Sequence, residues 1–513
     1  MEGGFIFLGT GVCPRCGFRQ FLWGYCPHTL CSICRKEFTM QRIEHIYING
    51  ECVTPHGQEW FDLYNPSTEA VIGQVRLGDA EDAQRAIAAA QAAFPAWSRT
   101  TRAERIAALR RMHKAIAARE DELMEAILVE YGAPLVRGRW MATYPADVIA
   151  QAIETLESFV FEEQAGAAKV IHTPVGVAGL ITPWNSDAGF ICNKLATALA
   201  AGCTAVIKPS EMSAMQTQVV IEALHEAGLP PGVFNIVNGR GDVVGEEIAR
   251  NPGIAKISFT GSSAVGQHLV VAGAATMKRV TLELGGKSPT VVLDDADFAA
   301  IMPLALQAGF LNSGQACIAG TRILVPRSRL TEFEQAAKAG ISQIRSGDPR
   351  DADTDIGPMV SRKQWERVQD YIRLGQQEGA TLLAGGEGRP EGMNTGWFVK
   401  PTIFTHANNQ MRIAREEIFG PVLTIIPYDD EAEAIAIAND TRYGLSALVL
   451  GKNPESCERV ARQIDSGRVL VNTLAHEPRA PCGGFKHSGL GREMGRWGIS
   501  AYLEPKTLMT NAS

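Results

Sequence analysis

An α/β fold, with parallel sheets covered by helices on both faces, is what this sequence predicts. Two observations carry that expectation. From residue 175 onward short β-rich apolar runs alternate with longer stretches of helical periodicity, and several runs are apolar throughout, as strands buried on both faces require. The 513 residues, 45% of them hydrophobic, give room for two or three domains, each with a sizeable core.

Before that rhythm starts, the chain reads as helix. Asp79 is placed to cap an Ala-rich helix expected to end before Pro95, since proline lacks the N–H that a helix interior needs. Thr101-Arg-Ala-Glu104 has the form of a capping box, in which each side chain accepts from the other residue's backbone N–H. It opens a longer helix expected to stop near Gly132. Strands are then expected at 175–182, 205–208, 234–237, 257–260 and 280–284, with helices at 212–227 and 263–275. A second α/β cycle places strands at 289–293, 321–325, 398–404 and 421–428. No repeat or low-complexity linker interrupts residues 41–513.

Bulk properties exclude several classes of function. A net charge of -7 argues against nucleic acid as a partner. No apolar run reaches the roughly 18 residues that span a bilayer, and the N-terminus lacks the basic flank and cleavage site of a secretory signal. A cytoplasmic chain without membrane attachment is expected. Of the 11 cysteines, Cys52, Cys192, Cys203, Cys317, Cys457 and Cys482 are scattered without the spacing of a disulfide framework, which suits free thiols in a reducing compartment. The others crowd into residues 1–39. There Cys13-x-x-Cys16 and Cys31-x-x-Cys34 stand near zinc-ribbon spacing, with Cys26 and His28 as spare donors. A zinc knuckle acting as an interaction module, a disordered extension and a true start at Met40 all remain open; these four cysteines are weak metal candidates.

Two segments carry chemistry. Cys317 stands in Phe310-Leu-Asn-Ser-Gly-Gln-Ala-Cys317, a turn-rich stretch after a helix pattern, where small polar neighbours leave a sulfur reachable. Glu283 ends a strand-like run and precedes Gly285-Gly286, which would let another backbone or a ligand approach closely. Together they offer a thiol nucleophile and a carboxylate base. A lone cysteine is otherwise a small buried hydrophobe, and the other reading of Glu283, a solvated edge-strand residue, is disfavoured by the Gly-Gly that follows.

With these segments stand Thr182-Pro-Trp-Asn185, Lys208-Pro-Ser-Glu211, Phe259-Thr-Gly-Ser-Ser-Ala-Val-Gly266, Glu416-Glu-Ile-Phe-Gly-Pro421 and Gly483-Gly-Phe-Lys-His-Ser-Gly-Leu-Gly-Arg-Glu493. In this order and spacing they resemble the aldehyde dehydrogenase superfamily, of the bacterial, hydrolytic kind, from about Met40 to the end. The resemblance implies a Rossmann-like cofactor domain (41–148 and 169–284), an α/β catalytic domain (285–482) and a small oligomerisation element (149–168 and 483–513), assembled as a homodimer or homotetramer. It implies oxidation of a small-molecule aldehyde with NAD as hydride acceptor. Cys317, Glu283, Asn185 and Lys208 form the implied catalytic set. Thr182, Pro183, Trp184, Lys208, Glu211, Phe259, Thr260, Gly261, Ser262, Leu284, Gln364, Glu417 and Phe419 are the implied cofactor residues, with Gly241 and Gly245 from a poor match to the dinucleotide fingerprint. Glu211 is expected to bind ribose hydroxyls and repel a 2′-phosphate, favouring NAD over NADP. Members that pass the acyl group to coenzyme A generally lack the glutamate matching Glu283, so its presence favours free acid as product. Glu493 matches a proton-relay position, or else serves as a cap or tail ion pair.

The chain departs from the pattern where relatives often carry bulk: Ser186, Gly189, Asn193 and Cys482 are expected to line a substrate tunnel with fewer aromatic faces, and the loop His476-Glu-Pro-Arg479 adds charge near its mouth. A bulky or polar aldehyde is expected rather than a short aliphatic one. The remaining alternatives are a CoA-acylating dehydrogenase or a catalytically idle scaffold of the same fold.

Overall fold

Two large sheets organise residues 40–510, the part of the chain that the computed structural model describes. The eight-stranded sheet runs, edge to edge, Gly489–Leu490, Arg279–Glu283, Lys256–Thr260, Val177–Ile181, Thr204–Lys208, Phe234–Ile236, Ile46–Ile48 and Glu51–Val53. The strands from Arg279–Glu283 to Phe234–Ile236 are parallel, and the flanking ones are antiparallel. Alternation explains why their sequences are apolar throughout. Ala178, Leu180, Ala205 and Ile207 join one core cluster with Ile191, Leu195 and Leu224, while Val177, Ile181, Val206 and Ile257 join another with Ile87 and Leu269. The helices Asp187–Ala201 and Ala214–Glu226 thus cover one face, and Ala80–Trp97 and Ser263–Ala274 the other.

The seven-stranded sheet follows the order Thr381–Ala384, Thr402–Thr405, Val422–Tyr428, Arg322–Pro326, Pro289–Val292, Ser446–Leu450 and Arg468–Val471. All of its pairings are parallel except the first. A three-stranded antiparallel sheet joins the tail strand Leu503–Leu508 to Ala168–Pro174 and Glu162–Ala165. The other three-stranded sheet pairs Gln41–Ile43, Val71–Arg76 and Trp60–Tyr64.

Several expectations shift. The first helix runs through Pro95 to Trp97, because a proline in the last turn deprives only the Gln91 carbonyl of its partner. The Thr101 capping box forms, but its helix stops at Ala117. Glu120–Ala126 and a π-turn, Ile127–Tyr131, carry the chain on to Gly132, which closes it at φ 78°. The strand expected at 398–404 is only Thr402–Thr405, since Pro401 has no N–H to give a ladder. The expected domain limits also cut through elements. The helix Leu135–Ser158 crosses the 148/149 boundary, and Gly489–Leu490, assigned to the oligomerisation element, pairs with the strand that ends at Glu283. The candidates Cys13, Cys16, Cys31 and Cys34 lie outside the described residues.

Candidate active site

The segments expected to carry function leave the large sheet at one end. Thr182-Pro183-Trp184-Asn185 follows Val177–Ile181, Lys208 ends its strand, Gly261-Ser262 follow Lys256–Thr260, and Leu284 follows Glu283. Register pairs Ile181 with Lys208 and Thr260 with Glu283. These are the carboxyl ends of parallel strands, where open α/β sheets bind ligands.

Cys317 reaches this end from the second sheet. The helix Phe298–Gly309 gives way to a turn in which Asn312, Ser313 and Gly314 all have positive φ, and Gly314 packs so closely on the Gly420 backbone that a side chain would clash. Hydrogen bonds hold the turn. Gly357 N donates to Ser313 Oγ at 2.9 Å, Val360 N to Gln315 Oε1 at 2.9 Å, and Gln315 Nε2 to the Pro358 carbonyl at 3.2 Å. The Asn312 amide donates to the Asn185 carbonyl at 3.2 Å, and the Asn185 amide to the Gln315 carbonyl at 2.9 Å. Asn185 and Cys317 are thereby fastened to one another. Gly286 explains itself here: a side chain on it would strike the Cys317 carbonyl, so the close approach is by a backbone. Cys317 as a residue is partly exposed. Burial, with Glu417 and Glu283 next, pushes its thiol up to about 12.

Glu283 is 7% exposed, and its Oε1 has no hydrogen-bond partner. Burial raises its carboxyl to about 8, helped by Glu493 and opposed by Lys194 and Arg492. Glu493 is itself built in: it accepts from Ser258 Oγ at 2.9 Å and Asn193 Nδ2 at 3.3 Å, and pairs with the buried Lys194 ammonium. Lys194 and Ser258 carried no sequence signal, because each sits in a run that reads simply as core helix or core strand.

The expected cofactor residues divide. Lys208 Nζ donates to the Pro209 carbonyl at 2.8 Å and to Glu211 Oε2 at 3.1 Å. Arg240, not foreseen, lies with Nη1 3.9 Å from Glu211 Oε1 while its other face pairs with Glu59. Ser262 caps the helix Ser263–Ala274, and the Thr260 hydroxyl is buried without a partner. That leaves a helix N-terminus and a free hydroxyl at the same sheet end as Lys208 and Glu211, one strand between them, donors and acceptors that fit a dinucleotide. Leu284 packs on Gly266, where a Cβ would come within 2.6 Å of it. Gly245 lies beside the Lys208 stem, whereas a side chain on Gly241 would meet nothing within 4 Å. Glu417 Oε1 accepts from Gly286 N at 2.9 Å. Gln364, expected at a ribose, spends its amide N–H groups on the Ile418 and Phe419 carbonyls at 3.1 and 2.8 Å, bracing the positive-φ turn at Phe419. Phe419 in turn stands edge-on to Trp184, centroids 5.4 Å apart. Thr182 Oγ1 is engaged by Asp187 at 2.6 Å.

Of the expected tunnel residues, Ser186, Gly189 and Asn193 share one face at the start of the helix Asp187–Ala201, and Cys482 bridges to Glu493 through both backbone hydrogen bonds, at 2.9 and 2.8 Å. The bulk missing there comes from elsewhere. A Cβ on Gly189 would lie 2.7 Å from the Tyr144 ring and 3.1 Å from Ser186 Oγ. Tyr144 stacks on Trp140 at 4.5 Å and faces the His476 ring at 6.3 Å. The sequence reading did not single out these aromatics, because a Trp and a Tyr one helical turn apart read as packing.

Comparison with known proteins gives a consistent picture. Residues 53–508 match the description "Aldehyde dehydrogenase family". A 3-succinoylsemialdehyde-pyridine dehydrogenase of Pseudomonas sp is 46% identical over 472 residues, covering 92% of this chain and 99% of that protein. Among solved structures, a mutant of aldehyde dehydrogenase C from Pseudomonas syringae, complexed with NAD+ and octanal, superposes with a TM-score of 0.90 at 44% identity over 92% of this chain and 98% of its own. Betaine aldehyde dehydrogenase from Staphylococcus aureus, in complex with NAD+, does so with a TM-score of 0.89 at 36% identity, over 91% and 94%.

Proposed function

The chain belongs to the aldehyde dehydrogenase family, and from that premise we propose that it oxidises an aldehyde to the carboxylic acid with NAD, using Cys317 as nucleophile and Glu283 as base. The observation that supports this most is the meeting, at one sheet end, of the Cys317 turn, the Asn185 amide and a buried carboxylate with an unpartnered oxygen. NAD, when bound, supplies the acceptor for a hydride. Thr260, Lys208, Glu211 and the start of the helix Ser263–Ala274 would hold its adenosine half, and Glu417 and Phe419 its nicotinamide half.

The thiol proton must first pass to solvent water, because burial and two carboxylates hold Cys317 protonated. The thiolate then adds to the carbonyl carbon; a C–S bond forms and the π pair moves to oxygen. Asn185 and the Cys317 N–H stand ready as donors to that oxyanion. Its electron pair re-forms the carbonyl as the C–H bond breaks, leaving a thioester. Glu283, once ionised, takes a proton from water, the hydroxide adds, and the C–S bond breaks to release acid and thiolate. The pair Glu493–Lys194 gives the proton on Glu283 a charged neighbour set through which to depart.

Among the described residues no helix is long and apolar enough to cross a membrane. We place the enzyme in the cytoplasm as a homodimer or homotetramer; the unpaired edges of Arg468–Val471 and Glu162–Ala165 support self-association. The test is NADH absorbance over a panel of aldehydes, with Cys317→Ala beside the wild type. Turnover by the wild type, together with a covalent acyl adduct on the Cys317 peptide that the variant lacks, is expected. Undiminished turnover by Cys317→Ala would overturn the mechanism.

A further inference from the structure

Arg137 stands in the first turn of the helix Leu135–Ser158, with its guanidinium carbon 3.9 Å above the Trp140 ring. Its Nε is buried without a hydrogen-bond partner, and the titratable groups around it are Tyr131 and Tyr144, with no carboxylate among them. Burial and the helix start are both unfavourable to a cation there. Burial, only partly opposed by Tyr131 and Tyr144, lowers its pKa to about 10, and the first turn of a helix carries the positive end of the macrodipole. The Trp140 face offsets part of this. A guanidinium has five N–H donors in a planar fork matched to a carboxylate, and the chain itself offers this one none.

Its surroundings belong to the substrate side of the site. Trp140 stacks on Tyr144, which fills the space at Gly189 beside Ser186. Tyr131 lies 5.9 Å from Trp184, whose neighbour Asn185 is tied to the Cys317 turn. Arg137 therefore stands between the aromatic wall and the turn that carries the oxyanion donor.

We propose that Arg137 is a specificity residue that receives the distal carboxylate of an aldehyde-acid substrate, an oxo acid with its aldehyde at Cys317. The inference rests on the dehydrogenase reading above. A chain with a carboxylate at its far end supplies the missing anion, and its methylenes lie against Tyr144 and Trp140.

The test compares two aldehydes of equal length, 6-oxohexanoate and hexanal, with NAD and the full-length protein. In the wild type kcat/KM is expected to be at least tenfold higher for the oxo acid. Arg137→Met should reduce that ratio at least tenfold, mainly through KM for the oxo acid, and Arg137→Lys should restore part of it. Should Arg137→Met fail to fold, Arg137→Lys against wild type decides, since a lysine without the planar fork lowers the ratio severalfold. A wild type that oxidises hexanal without preferring the oxo acid, or a ratio unchanged by substitution, overturns the assignment of Arg137 and leaves the dehydrogenase reading standing. Oxidation of neither aldehyde overturns both.

Discussion

Asn185 donates its side-chain amide to the carbonyl of Gln315, 2.9 Å away and two residues before Cys317. The bond couples a turn on one sheet to the nucleophile turn on the other, so the amide is both held and aimed. Asn185→Ala removes the donor and the brace together. A loss of about 10²–10³ in kcat is expected, on the scale of ~3–4 kcal/mol for one oxyanion donor, seen as slowed NADH formation in the first turnover. A variant with a normal first turnover would show that the oxyanion is stabilised without this amide.

Glu283 supplies a pH signature. Its carboxyl is raised by burial to about 8, so it is protonated at neutrality and becomes a base as the pH rises through that value. Thioester hydrolysis should therefore accelerate between roughly pH 7 and 9. Glu283→Gln should abolish the acceleration and leave a burst of NADH followed by slow turnover, because acylation does not require this base. Stopped-flow absorbance across that range checks both. Burst and steady state falling together would assign Glu283 to an earlier step.

Sequence patterning reached the strands because each buries both faces, so a run such as Val177–Ile181 is apolar whichever side a residue faces. Gly-rich neighbours mark Cys317 and Glu283 as candidates, whereas Asn185 alone reads as a turn asparagine and stands out only through the resemblance. Patterning missed Tyr144, Lys194 and Arg240, which meet partners far away in the chain: Lys194 pairs with Glu493, just past the tail strand Gly489–Leu490 that docks beside Glu283. Arg137 escaped for another reason, since its neighbours Tyr131, Trp140 and Tyr144 are local and read as packing. The ribose contact implied for Gln364 gave no sign that its amide N–H groups also brace the turn at Phe419. Local pattern records what a residue's backbone needs, and long-range pairing leaves no local mark.

Coenzyme preference should turn on Glu211, which lies between Lys208 at 3.1 Å and Arg240 at 3.9 Å. Glu211→Gln removes the repulsion of a 2′-phosphate and leaves two cations facing the same place. The ratio of kcat/KM for NAD over NADP should fall by about tenfold or more, ~1.4 kcal/mol per decade. Adding Arg240→Ala to that variant should restore part of the preference. An unchanged ratio in Glu211→Gln would mean the ribose is read elsewhere.

Asp187 makes folding stability depend on pH. It is fully buried, accepts from Thr182 and Thr217 hydroxyls at 2.6 and 2.9 Å, and burial raises it to about 7. A carboxyl raised in the folded state contributes stability below its ordinary range near 3.8, and that contribution is lost as the pH climbs through 7. Asp187→Asn keeps an acceptor for Thr182 and carries no charge. Its unfolding free energy relative to wild type, from denaturant titrations, should therefore rise from pH 5 to pH 9 by an amount on the order of 1–4 kcal/mol. A difference that stays flat over that interval would show Asp187 ionised throughout.

The aromatic wall is the last test. Ser186 and Gly189 lack bulk, yet the Tyr144 ring already occupies the space that a side chain at Gly189 would claim. A phenylalanine at Ser186 should collide with that ring, so Ser186→Phe is expected to lower kcat/KM for bulky aldehydes by about 10–100-fold and for short aliphatic ones much less. Tyr144→Ala should widen the path and favour bulky aldehydes over short ones by a comparable factor. In the double variant the new phenylalanine gains the vacated space, and the two effects should fail to add by about 0.5–3 kcal/mol, the range for side chains in contact. Strict additivity, or equal losses on large and small aldehydes from Ser186→Phe, would place Ser186 and Tyr144 apart from the aldehyde's path.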